Sequence, residues 1–238
     1  MKKLAIAILI IAIMPGLVSC KKDLIGKGPV TTETRSVTNF TGIDLRMNGN
    51  VYYKNDSVWK VEVSAKQTIH PILQTYVAGN KLVIKYADGK TYDADETIRI
   101  NVSGPGVNAF ELNTSGSIYC ENSIQASSLY LRTTGSGSIW LQNVTASTID
   151  AASTVSGTIS GTGGSINNAI LKTDGSGKIE IQAIAANTVT ARTTGSGDIR
   201  VKVAHYLDAT IDGSGDIYFS GYPSLSTHIN GSGRLVRF

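Results

Sequence analysis

Gly195-Ser196-Gly197-Asp198-Ile199-Arg200-Val201 and Gly213-Ser214-Gly215-Asp216-Ile217-Tyr218-Phe219 are two copies of one unit. A small residue, a serine and a glycine are followed, after one residue, by an aliphatic. The unit occurs seven times, with its final glycine at positions 116, 137, 157, 177, 197, 215 and 233. The intervals are 21, 20, 20, 20, 18 and 18 residues. A period near twenty held over seven cycles predicts a solenoid in which each repeat is one coil.

Columns aligned on that glycine separate two environments. Two residues after it stand Ile118, Ile139, Ile159, Ile179, Ile199, Ile217 and Leu235; four after it stand Cys120, Leu141, Gly161, Ile181, Val201, Phe219 and Arg237. Eight before it come Leu129, Ile149, Ala169, Val189, Leu207 and Leu225, and six before it Phe110, Leu131, Ala151, Leu171, Ala191, Ala209 and Thr227. The intervening columns are polar or bulky. Residues two apart share one environment, which is the strand period. Each coil therefore reads as a strand, a Ser-Gly corner, a second strand and a looser return. Glycine suits the corner by accepting positive φ, and the serine hydroxyls can satisfy corner N–H and C=O groups. The fold class expected is all-β, a right-handed parallel β-helix of about 20 residues per coil, the hand following from the crossover rule.

The first half is less regular. Asn48-Gly49 reads as a variant corner with Val51 and Tyr53 facing inward, and Val58 to Val63 as a strand pairing with it. Gln67 to Tyr76 places Ile69, Ile72, Leu73 and Tyr76 at helical spacing, predicting a short helical insertion. Asp88 to Glu96 reads as an acidic loop. Residues 36–110 are thus expected to form irregular N-terminal coils and a cap, and 111–238 the regular repeats of the same domain. A charged Arg237 in an inward column suits the closing of the other end.

Before the fold, Lys2 and Lys3, an apolar run over 4–13 and Leu17-Val18-Ser19-Cys20 form a secretory signal. The last four residues resemble the bacterial lipobox, which implies cleavage before Cys20 and lipidation of that residue; an ordinary signal with an incidental cysteine is the alternative. Signal 1–19 and a polar tether over 20–35 then precede the solenoid. Localisation follows as a bacterial cell envelope, expected at the outer membrane, with the membrane contacted through the lipid anchor. Without Lys2 and Lys3 the chain carries 20 basic and 18 acidic side chains, and no basic run interleaved with aromatics suggests nucleic acid. Cys120, the one cysteine left, sits in an inward column and reads as core.

Phe40-Thr41-Gly42-Ile43, the segment around Ile69 to Leu73, Asn80-Lys81-Leu82-Val83-Ile84 and the Ser-Gly-Ser-Gly-Asp-Ile-like repeats together resemble the auto-transporter adhesin head GIN domain family over residues 36–238. The resemblance implies a right-handed β-helix, often on a lipoprotein, and no demonstrated activity.

β-Helices also include polysaccharide lyases and hydrolases, whose sites need clustered carboxylates. Asp198 and Asp216 share a column in consecutive coils, and Asp174 and Asp212 another two coils apart. The stacked Asp198/Asp216 pair reads either as a weak cation site or as solvated corner residues. His70, His205 and His228 share no metal-ligand spacing. No catalytic residue, metal or cofactor is expected. Seven equivalent serines form a ladder, whereas a nucleophile would occur once beside a base. Tyr119, Trp140 and Tyr218 fall in one outward column, where exposed rings stack on sugars or anchor a protein; cross-strand packing is the other reading. The expected function is a non-enzymatic, adhesin-like binding or structural module offering a rigid Ser/Thr-rich surface to a glycan or protein, against a carbohydrate-active β-helix enzyme.

Overall fold

A computed structural model describes residues 24–93 and 98–238; the signal segment and Cys20 lie outside the described residues, as does part of the acidic loop. The chain is an all-β solenoid of about six turns with roughly 20 residues per coil. The N-terminal strands are β1 (Leu24–Ile25), β2 (Val30–Arg35), β3 (Gly42–Leu45), β4 (Asn50–Asn55), β5 (Lys60–Lys66), β6 (Leu73–Ala78), β7 (Lys81–Tyr86), β8 (Tyr92–Asp93), β9 (Arg99–Gly104) and β10 (Ala109–Leu112). The repeats give β11 (Ser117–Thr133), β12 (Ser138–Ser153), β13 (Thr158–Gly161), β14 (Gly164–Thr173), β15 (Lys178–Thr193), β16 (Ile199–Ile211), β17 (Ile217–Ser220), β18 (Ser224–Ile229) and β19 (Leu235–Arg237).

Two parallel ladders run along the rod. One stacks β9, β4, β11, β12, β13, β15, β16, β17 and β19; the other stacks β7, β3, β10, β11, β12, β14, β15, β16 and β18. Repeat glycine aligns with repeat glycine, so Ile118 pairs with Ile139, Ile139 with Ile159 and Ile159 with Ile179. All four inward columns read from the sequence are buried through the middle of the rod, from Phe110 and Leu131 to Val201 and Ala209. The return segments are not loose. β11, β12, β15 and β16 continue through them from one ladder to the other, with register shifts after Cys120 and Glu180 absorbing the bend.

The corner glycines are needed for a different reason from the one expected. Positive φ occurs at Gly28, Gly79, Gly89, Gly106, Gly164 and Gly221, and at none of the seven corner glycines. Instead, a Cβ on Gly137, Gly197, Gly215 or Gly233 would overlap the carbonyl oxygen of the equivalent glycine one coil earlier. At the corner, adjacent backbones stack closely enough to leave no room for a Cβ. Nor do the serine hydroxyls carry the corner bonding, because the backbone does so itself. The N–H groups of Ser196, Ser214 and Ser232 donate to Gly175, Gly195 and Gly213 at 2.9–3.0 Å. A fifth inward column lies four residues before the glycine and escaped the sequence reading. It is polar in the middle, with Thr133, Ser153, Thr173 and Thr193 all fully buried. Ser153 and Thr193 donate to the carbonyls of Gly157 and Gly197 at 2.8 and 3.0 Å.

At the N-terminal end the order in space departs from the order in sequence. The expected β4–β5 pair is split: β9 lies between them, parallel to β4 and antiparallel to β5. The expected helix over 67–76 is only a 3₁₀ turn, His70–Ile72, after which Leu73 is extended at φ −91° and ψ 121°. Pro71 leaves too few residues for a stable helix, and Thr75 and Val77 favour the strand that pairs with β7. The buried Ile69 and Leu73 supply the spacing that imitated a helix. Part of the stretch expected to be a tether is also strand. β2 adds antiparallel to β5 as an edge of Thr, Glu and Arg, and β1 pairs with β8. Because β2 is exposed along nearly its whole length, no hydrophobic alternation marks it. Antiparallel strands thus cover both ladders at this end, β5 and β2 over β9 and β6 over β7.

Candidate functional site

Parallel register gathers aromatics that lie far apart in sequence. Tyr119 on β11 is paired on one side with Trp140 of β12 and on the other with Tyr52 of β4, a residue 67 positions earlier. The Tyr52 and Tyr119 rings stack with centroids 5.1 Å apart and planes inclined by 17°. The Arg99 guanidinium lies 3.5 Å over the Tyr52 ring, while its Nε donates to Asn101 Oδ1 at 3.0 Å. The Tyr52, Tyr119 and Trp140 side chains are all half-buried along the outer face, and the Tyr52 ring is held between Tyr119 and the Arg99 cation. The sequence did not put Tyr52 or Arg99 in this set, since neither sits in a regular repeat. Tyr52 had as its signal the alternation that follows the variant corner, whereas Arg99 lies on a separate strand that only register brings beside it.

Beside the stack is a groove of about 330 Å³ lined by Tyr52, Lys54, Lys60, Glu62 and Glu121 among others. Both charge signs line it, with Lys60 and Glu62 paired at 2.9 Å. The face offers a row of half-buried aromatic side chains with charged donors and acceptors beside it. Among the described residues, no group of His, Cys, Asp and Glu is arranged to hold a metal ion.

Tyr218 shares the column but not the site. Its register runs through Arg200, Glu180 and Ser160 before reaching Trp140, four strand spacings or about 19 Å. The Tyr218 hydroxyl donates to Asp216 Oδ2 at 3.0 Å, and Arg200 lies 4.3 Å over its ring. Bonding to Asp216 raises the Tyr218 pKa above its ordinary value.

The stacked aspartates are engaged in the corner. Asp198 Oδ1 accepts the Asp216 N–H at 3.0 Å, and Asp216 Oδ1 accepts the Arg234 N–H at 2.8 Å. Asp216 Oδ2 also takes the Arg234 guanidinium at 3.0 Å. Burial works against ionisation of Asp216, but these bonds and that of Tyr218 outweigh it and hold the pKa below the ordinary carboxylate value. The column is a ladder of backbone caps, each carboxylate receiving the next coil. Of the histidines, His70 is buried with Nε2 3.0 Å from the Thr31 carbonyl, and His228 contacts Asn230 at 3.0 Å. Cys120 is fully buried, which pushes its thiol pKa up. A second concavity, about 600 Å³, crosses four coils along the return strands and is lined by uncharged residues such as Gln125, Thr145, Ser165 and Asn187.

Comparison with known proteins agrees with this architecture. A solved structure from Bacteroides fragilis NCTC 9343 described as a "putative adhesin" is 24% identical and superposes with a TM-score of 0.86, covering 90% of this chain and 100% of that one. One from Parabacteroides distasonis ATCC 8503, described as a "putative lipid binding protein", is 21% identical with a TM-score of 0.78, over 91% and 100% of the chains. A third, a "putative adhesin" from Parabacteroides merdae ATCC 43184, is 18% identical with a TM-score of 0.71, over 91% and 99%. None of the curated proteins matches the sequence. A family model matches residues 39–223, the stretch that holds the capping strands β5 and β6, the aromatic face and all but the last repeat, and the chain belongs to the family described as "Putative auto-transporter adhesin, head GIN domain".

Proposed function

We propose that this adhesin-like chain is a non-enzymatic binding module, anchored to a bacterial envelope through lipidated Cys20, that recognises glycans on its Tyr52–Tyr119–Trp140 face. The observation that carries the reading is the stacked Tyr52–Tyr119 pair with Arg99 fixed over it, beside a groove of mixed charge. Sugar rings present an apolar face and a hydroxyl rim, which such a surface matches. The Leu17-Val18-Ser19-Cys20 sequence supports the anchor, and the outer membrane is the location proposed with it. A single ring stack binds weakly, so adhesion would come from many anchored copies engaging a repetitive surface. Against the enzyme reading, Asp198 and Asp216 each give one carboxylate oxygen to a backbone N–H, and Asp216 gives the other to Tyr218 and Arg234.

A glycan array probed with the soluble chain from Lys21 onward tests this. Binding is expected, and Tyr119→Ala or Trp140→Ala should abolish it, while Tyr218→Ala leaves it unchanged. Binding that survives both of the first two substitutions, or none at all to any glycan, would overturn the assignment. Cleavage of a saccharide lost in Asp198→Ala/Asp216→Ala would restore the enzyme reading.

A further inference from the structure

The two ends of the rod differ. Antiparallel strands cover the N-terminal end, whereas β18 pairs only with β16 and β19 only with β17 among the described residues. In the last coil the inward columns come into the open: Leu225 is 50% exposed and Ile229 46%, while their register partners Leu207 and Ile211 are fully buried. Arg237 folds across one side, donating to the Gly221 carbonyl and lying 4.0 Å over the Tyr222 ring. It leaves the β18 side uncovered.

We infer that this tip binds a second copy of itself, β18 pairing antiparallel with β18 of the other copy in a register centred on Thr227. Backbone direction and side-chain face both select that register. The Asn230 N–H points back to the Ile211 carbonyl at 2.9 Å. By the alternation of a strand, the N–H and C=O groups of Leu225, Thr227 and Ile229 point the other way, to the free edge. Centring on Thr227 sets Leu225 opposite Ile229 of the other copy and the reverse, so every free edge group finds a partner. The same register places the exposed apolar side chains on one inward face and Ser226 opposite His228 on the outer one. A shift by one residue would oppose inward to outward side chains and edge groups to groups already bonded. Head-to-tail stacking is disfavoured, because the opposite end shows the polar, exposed β2.

The size of the patch sets the strength. The final coil, residues 221–238, is smaller than the roughly 20–30 residues a side of a standard interface, which points to a weak dimer with Kd of about 10–1,000 µM. That coil contains no Asp or Glu, and Arg234 is already held by Asp216. Screening should therefore strengthen the pairing as salt is raised. If Cys20 is the anchor, this tip faces away from the membrane and the pairing would join rods on opposing surfaces; the pairing itself does not depend on the anchor or on glycan binding.

Sedimentation equilibrium of the chain from Lys21 should show a reversible monomer–dimer equilibrium that tightens with salt. Thr227→Pro removes an N–H that the fold does not use, so it should leave the thermal transition in place and weaken association at least tenfold. Facing Thr227 Cα atoms would be about 5.5 Å apart, within the disulfide range. Thr227→Cys should then crosslink to itself under mild oxidation, much faster than Ser226→Cys, with buried Cys120 not competing. A chain that stays monomeric at millimolar concentration, a dimer untouched by Thr227→Pro, equal crosslinking at 226 and 227, or association that weakens with salt would each overturn the inference.

Discussion

Replacing Gly197 by alanine tests the reason the corner glycines exist. A Cβ at this position would overlap the Gly177 carbonyl oxygen, with the Gly177 carbonyl carbon next nearest. Those atoms are backbone, so no side-chain rotation relieves the overlap and the two coils must separate locally. Overpacking of a tight interior costs about 1–3 kcal/mol. The separation would also strain the Gly197 N–H bond to Gly175, 3.0 Å, and the Thr173 and Thr193 hydroxyl bonds to the Gly197 carbonyl, 3.3 and 3.0 Å. Losing one or two of these adds about 1–2 kcal/mol. Gly197→Ala should therefore destabilise by about 3–4 kcal/mol in urea denaturation. Two comparisons isolate the cause. Gly79→Ala introduces a Cβ into open space at φ +57°, where the left-handed backbone alone costs about 1–2 kcal/mol. Ser196→Ala removes an exposed hydroxyl bonded only to Ser176, and should cost under about 0.5 kcal/mol. If Gly197→Ala costs no more than Gly79→Ala, close backbone stacking is not what selects glycine.

Three further outcomes follow from the buried hydroxyls and the corner carboxylates. Thr133 Oγ1 is fully buried with no hydrogen-bond partner, so Thr133→Val should be neutral or stabilising by up to about 1 kcal/mol in the same denaturation assay. Thr193→Val, which deletes the donor to the Gly197 carbonyl, should instead destabilise by about 1–2 kcal/mol. The folded pKa of Asp216 is depressed, so its contribution is present above the unfolded value near 3.9 and lost as pH falls through the lower folded value. The stability gap between the native chain and Asp216→Asn should thus be full at pH 6 and shrink below pH 4; a gap unchanged down to pH 2.5 would show that the carboxylate charge does not matter.

The regular half was legible because each coil repeats the same demand on its residues. Ile118 through Ile217 stand in one column, and a strand period written seven times leaves little choice of architecture. The ends were not. The segment Ile69 to Tyr76 carries a spacing that fits a helix and a 3₁₀ turn plus strand equally well, and only pairing with Lys81–Tyr86 decides between them. The polar edge Val30–Arg35 has no buried face to write an alternation, so nothing in it distinguishes a strand from a linker. In the candidate site, Tyr119 and Trp140 were visible as neighbours because they occupy one column in consecutive repeats. Tyr218 shares that column, but distance along the rod separates it from them.

By itself, the sequence determined the coil length, the four apolar inward columns and the corner positions, because these are local periodicities in side-chain volume and polarity; the polar fifth column was hidden by its hydroxyls. Tertiary structure decided which coil lies against which at the irregular end, and so brought Tyr52 and Arg99 to Tyr119. It also decided that the corner glycines answer to the backbone of the preceding coil and not to their own φ. The physical reason is common to both: such contacts form between residues separated by a full coil or more, and their geometry depends on register across the stack, which no window along one strand contains.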